Sequence, residues 1–139
     1  MLISTYPLEG IWSITKEAQK NFTGTINKDN LVFKIMLRQP DFITNDFYNE
    51  ILEIVKKKKP NELFKKLKFE KITDGKCVQM LHLGSYDDES KTFAQMEQFA
   101  EANHLNRLSK VHLEIYLSDF QKVPIEKLKT VLRFKVKEQ

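Results

Sequence analysis

The sequence predicts an α+β fold with an antiparallel sheet, and three observations carry that expectation. Val111 to Ser118 alternates apolar and polar residues with the period of two that marks a strand with one covered face. Phe47, Ile51, Ile54 and Val55, and again Phe93, Met96, Phe99 and Ala100, recur at helical spacing. From residue 76 onward the patterns run strand, helix, strand, strand, whereas the start of the chain holds only two strands, like the end of a similar unit.

Each element has a local reason. Tyr6 to Trp12 reads as a strand, and Thr15 to Asn30, polar and holding Gly24, as a loop or irregular connection. Leu31 to Arg38 resumes as a strand until Pro40. Thr44 is placed to cap a helix whose C-terminal end carries Lys56 to Lys59, where cations meet the unpaired carbonyls, before Pro60 stops it. Asn61 caps a short segment from Glu62 to Leu67. Lys76 to Leu83 forms the next strand, Gly84 to Asp88 a turn, and Asp88 a cap for a second helix that frays by Asn103 and His104. Pro124 opens a short helix over Ile125 to Lys129, and Val131 to Val136 closes the chain as a strand with Leu132, Phe134 and Val136 on one face.

A chain of 139 residues, 41% hydrophobic, supports one sizeable core and predicts a single domain. Within it, residues 1–42 form a partial first unit, 43–75 a helical linker and 76–139 a complete second unit. No apolar run reaches membrane-spanning length, and MLISTYPLEG lacks a basic leader, so neither membrane nor secretion is expected. The single Cys77 has no intramolecular partner, which points to a reducing, cytoplasmic setting. The net charge of +4 is concentrated: residues 53 to 71 hold eight lysines against three glutamates. That clustering fits a solvated helix end better than a phosphate-tracking surface, so nucleic acid is not an expected partner.

The chemistry concentrates on one strand. His112, Glu114 and Tyr116 share a face at about 6.8 Å spacing, and Leu113 and Ile115 are expected to point the other way, into the helix-covered core. Two readings of Glu114 remain open: an exposed carboxylate paired with Lys34, Arg38 or Arg133, or the polar wall of a pocket, where burial demands compensation. Glu9 and Trp12 repeat the pairing of carboxylate and aromatic near the N-terminus, a combination suited to a planar or cationic ligand. His82 shares a strand face with Val78 and Met80. The histidines form no metal-ligand spacing, Cys77 has no activating neighbour, Ser85 lacks a nucleophile-elbow context and the glycines form no phosphate loop. No metal and no cofactor are expected.

The segments PLEGIW at Pro7 to Trp12, LRQPDFIT at Leu37 to Thr44, KKKKPN at Lys56 to Asn61, CVQMLHLGSYDDE at Cys77 to Glu89, and HLEIYLSD with PIEKLKTVLR between His112 and Arg133 resemble the GyrI-like small-molecule-binding superfamily. That family is related to the effector-binding domains of AraC-type and MerR-type regulators, and the closest resemblance is to its stand-alone members. It implies two β-α-β-β units in pseudo-twofold arrangement around a ligand cleft, the first unit here being incomplete at the N-terminus. An exposed first-unit edge then makes a homodimer an expected partner.

The resemblance implies a cleft that binds a small aromatic or cationic organic molecule. Its walls would come from Glu9, Trp12, Met80, His82, His112, Glu114 and Tyr116. Some stand-alone relatives suggest an alternative, hydrolysis of cyclopropane-containing electrophiles, with Glu114 and Tyr116 as catalytic residues. A protein-interaction or inhibitor module without a pocket is the second alternative.

Overall fold

The computed structural model describes residues 5–23 and 27–139. Gly24 lies outside them. The chain divides into two compact units, one made of Met1–Arg38 with Asp74–Gln139 and the other of Gln39–Thr73.

In the first unit, strand β1 (Leu8–Ile14) pairs antiparallel with β2 (Leu31–Leu37), Gly10 facing Ile35 and Trp12 facing Phe33. The connection expected to be loop begins with a short helix α1 (Lys16–Lys20), because Thr15 caps it by accepting from the Ala18 amide at 3.2 Å and KEAQK consists of good helix formers. The remaining strands are β3 (Cys77–Leu83), β4 (Leu105–Arg107), β5 (His112–Tyr116) and β6 (Lys129–Glu138). The sheet order is β2-β1-β5-β6-β3, with β4 also paired to β6. Every pairing is antiparallel.

Helix α3 (Glu89–Ala102) packs on β3 and β4. Its Met96 and Ala100 close a core with Val78, Leu132, Phe134 and Val136, each of the large side chains contributing about 1.5–3 kcal/mol by leaving water. Asp88 precedes the helix without making the expected side-chain cap. Ser85 acts one turn earlier, its Oγ accepting from the Asp87 amide at 3.2 Å to cap the 3-10 turn Tyr86–Asp88.

Cross-strand partners share a face, so the register decides which side chains meet α3. Glu114 stands opposite Leu132 and Tyr116 opposite Thr130, and Leu132 and Thr130 are almost wholly buried on the helix side. The expected orientation of β5 is therefore reversed. His112, Glu114 and Tyr116 share the α3 face, while Leu113 and Ile115 point to the opposite one. The sheet tolerates this because α3 lies over β3 and β4, at one end, and leaves the face above β1 and β2 open. On that open part Leu8, Phe33, Ile35 and Leu37 remain about half exposed.

The second unit is built on α2 (Asn45–Lys58), capped as expected by Thr44, whose Oγ1 accepts from the Phe47 amide at 3.2 Å. Lys56, Lys57 and Lys58 occupy its last turn, and Asn61 caps the turn Glu62–Lys66 that follows. The Tyr48 and Phe69 rings stack with centroids 5.1 Å apart.

Candidate functional site

Strands β1 and β5 run side by side with Gly10 opposite Glu114, Trp12 opposite His112 and Leu8 opposite Tyr116. This register creates a hydrogen-bonded chain. Trp12 Nε1 donates to the Tyr116 hydroxyl at 2.8 Å, which donates to Glu114 Oε2 at 2.6 Å. His112 Nε2 holds the other carboxylate oxygen, Oε1, at 3.0 Å. Gly10 makes the chain possible. A Cβ there would stand 2.8 Å from Trp12 Nε1 and 3.2 Å from the Tyr116 oxygen, so any side chain would displace the two donors.

Glu114 is 7% exposed. Burial alone would raise its pKa, but hydrogen bonds from His112, Glu89 and Tyr116 outweigh it and hold the carboxyl below the ordinary range. Tyr116 moves the other way, its phenol pushed up by burial and then by its bond to Glu114. Across from them, Glu89 projects from the first turn of α3. Burial, followed by the neighbouring Glu114, pushes its pKa up to about 9. Two carboxyls in one desolvated site cannot both ionise cheaply.

Aromatic rings surround the chain. Trp12 packs against Phe33 at 5.1 Å, Tyr86 meets Tyr116 edge-on at 6.1 Å and Phe93 meets His112 at 4.7 Å. Glu89, His112 and Glu114 each bring one oxygen or nitrogen within 4.8 Å of the others, a spacing that no local sequence motif announced. Both Glu114 oxygens accept hydrogen bonds, from His112 and Tyr116.

The other candidates are placed differently. Glu9 faces Ile115, on the opposite side of the sheet from Glu114, among Arg133, Asp74 and Arg38. Burial, ahead of these charges, raises its pKa. Arg133, one of the cations considered for Glu114, pairs there with Asp74 at 2.8 Å and Gln79 at 3.0 Å. Arg38 stacks on Tyr6, and Lys34 stands opposite Ile11 on that same far face. His82 is 3% exposed beneath the start of α3. Its Nε2 donates to the Ser85 carbonyl and its Nδ1 pairs with the Thr92 hydroxyl, both at 2.7 Å, which fixes the turn on either side of Glu89. Met80 sits on the edge strand β3 opposite Leu132.

Glu89, Tyr86, Phe33 and Gly10 were not singled out in the sequence. An acidic residue in the first turn of a helix is ordinary, so nothing in the sequence marks Glu89 as part of a site. A concavity of about 450 Å³ is lined by Ile14, Glu17, Ala18 and Phe22 among others, and none of the residues around Glu114 lines it. The Glu114 cluster instead borders the open apolar face of β1 and β2. No helix among the described residues is long and apolar enough to cross a membrane.

Solved structures with this fold are similar in sequence as well. An uncharacterized conserved protein from Listeria innocua superposes with a TM-score of 0.83 at 36% identity, over 96% of this chain and 65% of that one. Two structures of a hydrolase from the same organism each give 0.82 at 34% identity, over 96% of this chain and 64% of theirs. The chain thus spans under two thirds of the length of these structures. No curated protein matches it. The family model for the GyrI-like small molecule binding domain matches residues 4–137, and with nearly the whole sequence inside that match the chain belongs to the GyrI-like family.

Proposed function

We propose that this chain carries the reactive wall of a small-molecule hydrolase, with Glu114 as the base that activates water. The observation that carries this reading is the buried Glu114 carboxylate, held ionised by His112 and Tyr116 beside the Trp12 indole. The likeness to hydrolases from Listeria innocua supports it.

A cyclopropane conjugated to a carbonyl is the substrate class that fits. Water adds to a ring carbon, the C–O bond forms as a ring C–C bond breaks, and the electron pair passes to the conjugated carbonyl. Glu114 takes the water proton. Tyr116 supplies a hydrogen bond to the developing oxyanion, and Trp12 and Phe33 offer faces to a planar substrate.

Turnover of such a ketone in ¹⁸O-water, followed by mass spectrometry, tests the reading. Glu114→Gln should lower kcat by about 10²–10⁴-fold with a much smaller change in KM, because an amide cannot take the proton. Unchanged kcat in a folded variant overturns it. A second reading, binding without turnover of a cationic aromatic molecule, is favoured by one negative charge among aromatic rings. Saturable binding of such a cation, lost in Glu114→Gln and unaccompanied by any turnover, would select it.

A further inference from the structure

We infer that Glu89 is a second functional carboxyl of this site, a positioning residue that as the neutral acid shares a proton with Glu114 and fixes the pair at a single negative charge. The inference rests on the reading that Glu114 is the base.

Glu89 stands in the first turn of α3 and is 9% exposed, yet its Oε1 is buried without a hydrogen-bond partner. A buried ionised carboxylate with an unsatisfied oxygen is costly, whereas the protonated acid loses much less by burial. Its polar neighbour is Glu114, whose oxygens are occupied by His112 and Tyr116 and which can only accept. Two acceptors in this proximity share a proton.

The titratable groups facing Glu89 are Glu114, His112 and Tyr116 on β5 and Tyr86 in the preceding turn. Tyr86 and Tyr116 both have raised pKa values, so neither adds charge near neutrality. His82 on β3 holds Ser85 and Thr92, which keeps this turn of α3 in place. Asp88 points away to Lys91, at 3.0 Å, on the solvent side.

The shared proton gives Glu114 a hydrogen-bond donor that stabilises its carboxylate before water is activated. When Glu114 takes the water proton the pair becomes neutral, and it returns to one charge when that proton passes to the product anion. Above the Glu89 pKa the donor is lost and a second negative charge replaces it.

The test uses the wild-type chain and Glu89→Gln, whose amide is neutral and still donates. Carboxyl ¹³C NMR, with Glu89 assigned through its backbone, should place its titration near pH 9. Turnover of the conjugated cyclopropyl ketone should fall at alkaline pH around that value in the wild type, and folded Glu89→Gln should lose this alkaline limb. A Glu89 resonance titrating in the ordinary carboxyl range overturns the inference even where the variant does not fold. So does an alkaline limb unchanged in folded Glu89→Gln. If Glu114→Gln leaves turnover intact while Glu89 titrates high, the shared proton stands and the assignment of the base falls. If Glu114→Gln abolishes turnover and Glu89 titrates normally, the base stands and this inference falls.

Discussion

Trp12 and Tyr116, 104 positions apart in the chain, are joined by a 2.8 Å hydrogen bond from indole to phenol. That bond ties β1 to β5 on the face where Glu114 is buried. Tyr116→Phe removes both this acceptor and the donor to Glu114, so it should cost about 1–3 kcal/mol in urea unfolding. It should also raise the Glu114 pKa, read by carboxyl NMR, since one of the bonds that depresses it is gone. An unchanged Glu114 titration would show that Tyr116 does not tune the carboxylate.

Gly10→Ala probes the same arrangement from below. Its new methyl would press on Trp12 Nε1 and the Tyr116 oxygen, the indole being held in turn against Phe33. Overpacking of this kind should destabilise by about 1–3 kcal/mol and shift the Trp12 fluorescence. A wild-type emission spectrum would mean that the indole yields without losing its bond.

The stability of the fold should itself report Glu89. Its carboxyl has a folded pKa of about 9 against an ordinary 4.5, so the native state binds the proton more tightly than the unfolded chain. Its stabilisation is complete below about pH 4.5 and is lost as pH rises through about 9. Unfolding midpoints at pH 5, 7 and 9 should therefore fall more steeply in the wild type than in Glu89→Gln. Parallel profiles would contradict the raised pKa.

Arg107 makes a different kind of contact. Its guanidinium lies over the Phe134 ring at 4.3 Å and the Phe93 ring at 5.1 Å while its Nη1 donates to Glu97 at 2.8 Å. Arg107→Lys keeps the charge but not the planar stacking, and should cost about 0.5–2 kcal/mol. Glu97→Gln, in a partly solvated pair, should cost less. Equal losses would assign the effect to the ion pair.

Replacing Lys56, Lys57, Lys58 and Lys59 with glutamine should leave ligand affinity unchanged at low and high salt, because three of them occupy the last turn of α2, where cations belong, and the fourth caps it. Titration calorimetry with the conjugated cyclopropyl ketone provides the check. A loss comparable to that of Glu114→Gln would place these lysines in recognition.

Much of this architecture was legible because burial has a period. The alternation from Val111 to Ser118 marked β5 and grouped His112, Glu114 and Tyr116 before any coordinates. It could not say which face α3 would cover, since that depends on Glu114 falling opposite Leu132 across a second strand. An apolar row at Leu113 and Ile115 looked like the core side because carboxylates usually avoid it. The local hydrogen bonds that make the exception tolerable come from Tyr116, His112 and Glu89, and α3 had to fold back over the sheet to supply the last. Glu9 and Trp12 are three residues apart, an odd number, and a strand sends such a pair to opposite faces. That separation was readable and outweighed by the attraction of their side-chain types. Strand β4, only Leu105–Arg107, is too short to show any period.

The Tyr116 hydroxyl has one hydrogen, and Glu114 already holds it. An incoming molecule that offers an acceptor to Tyr116 must therefore compete with a carboxylate for that hydrogen, and if it wins it releases a lone pair on Glu114. An incoming donor meets no such toll, because the carboxylate can take it directly. The site thus ranks visitors by hydrogen-bond polarity before size or charge enters. For a substrate with a carbonyl, recognition at Tyr116 and the unmasking of Glu114 become one event.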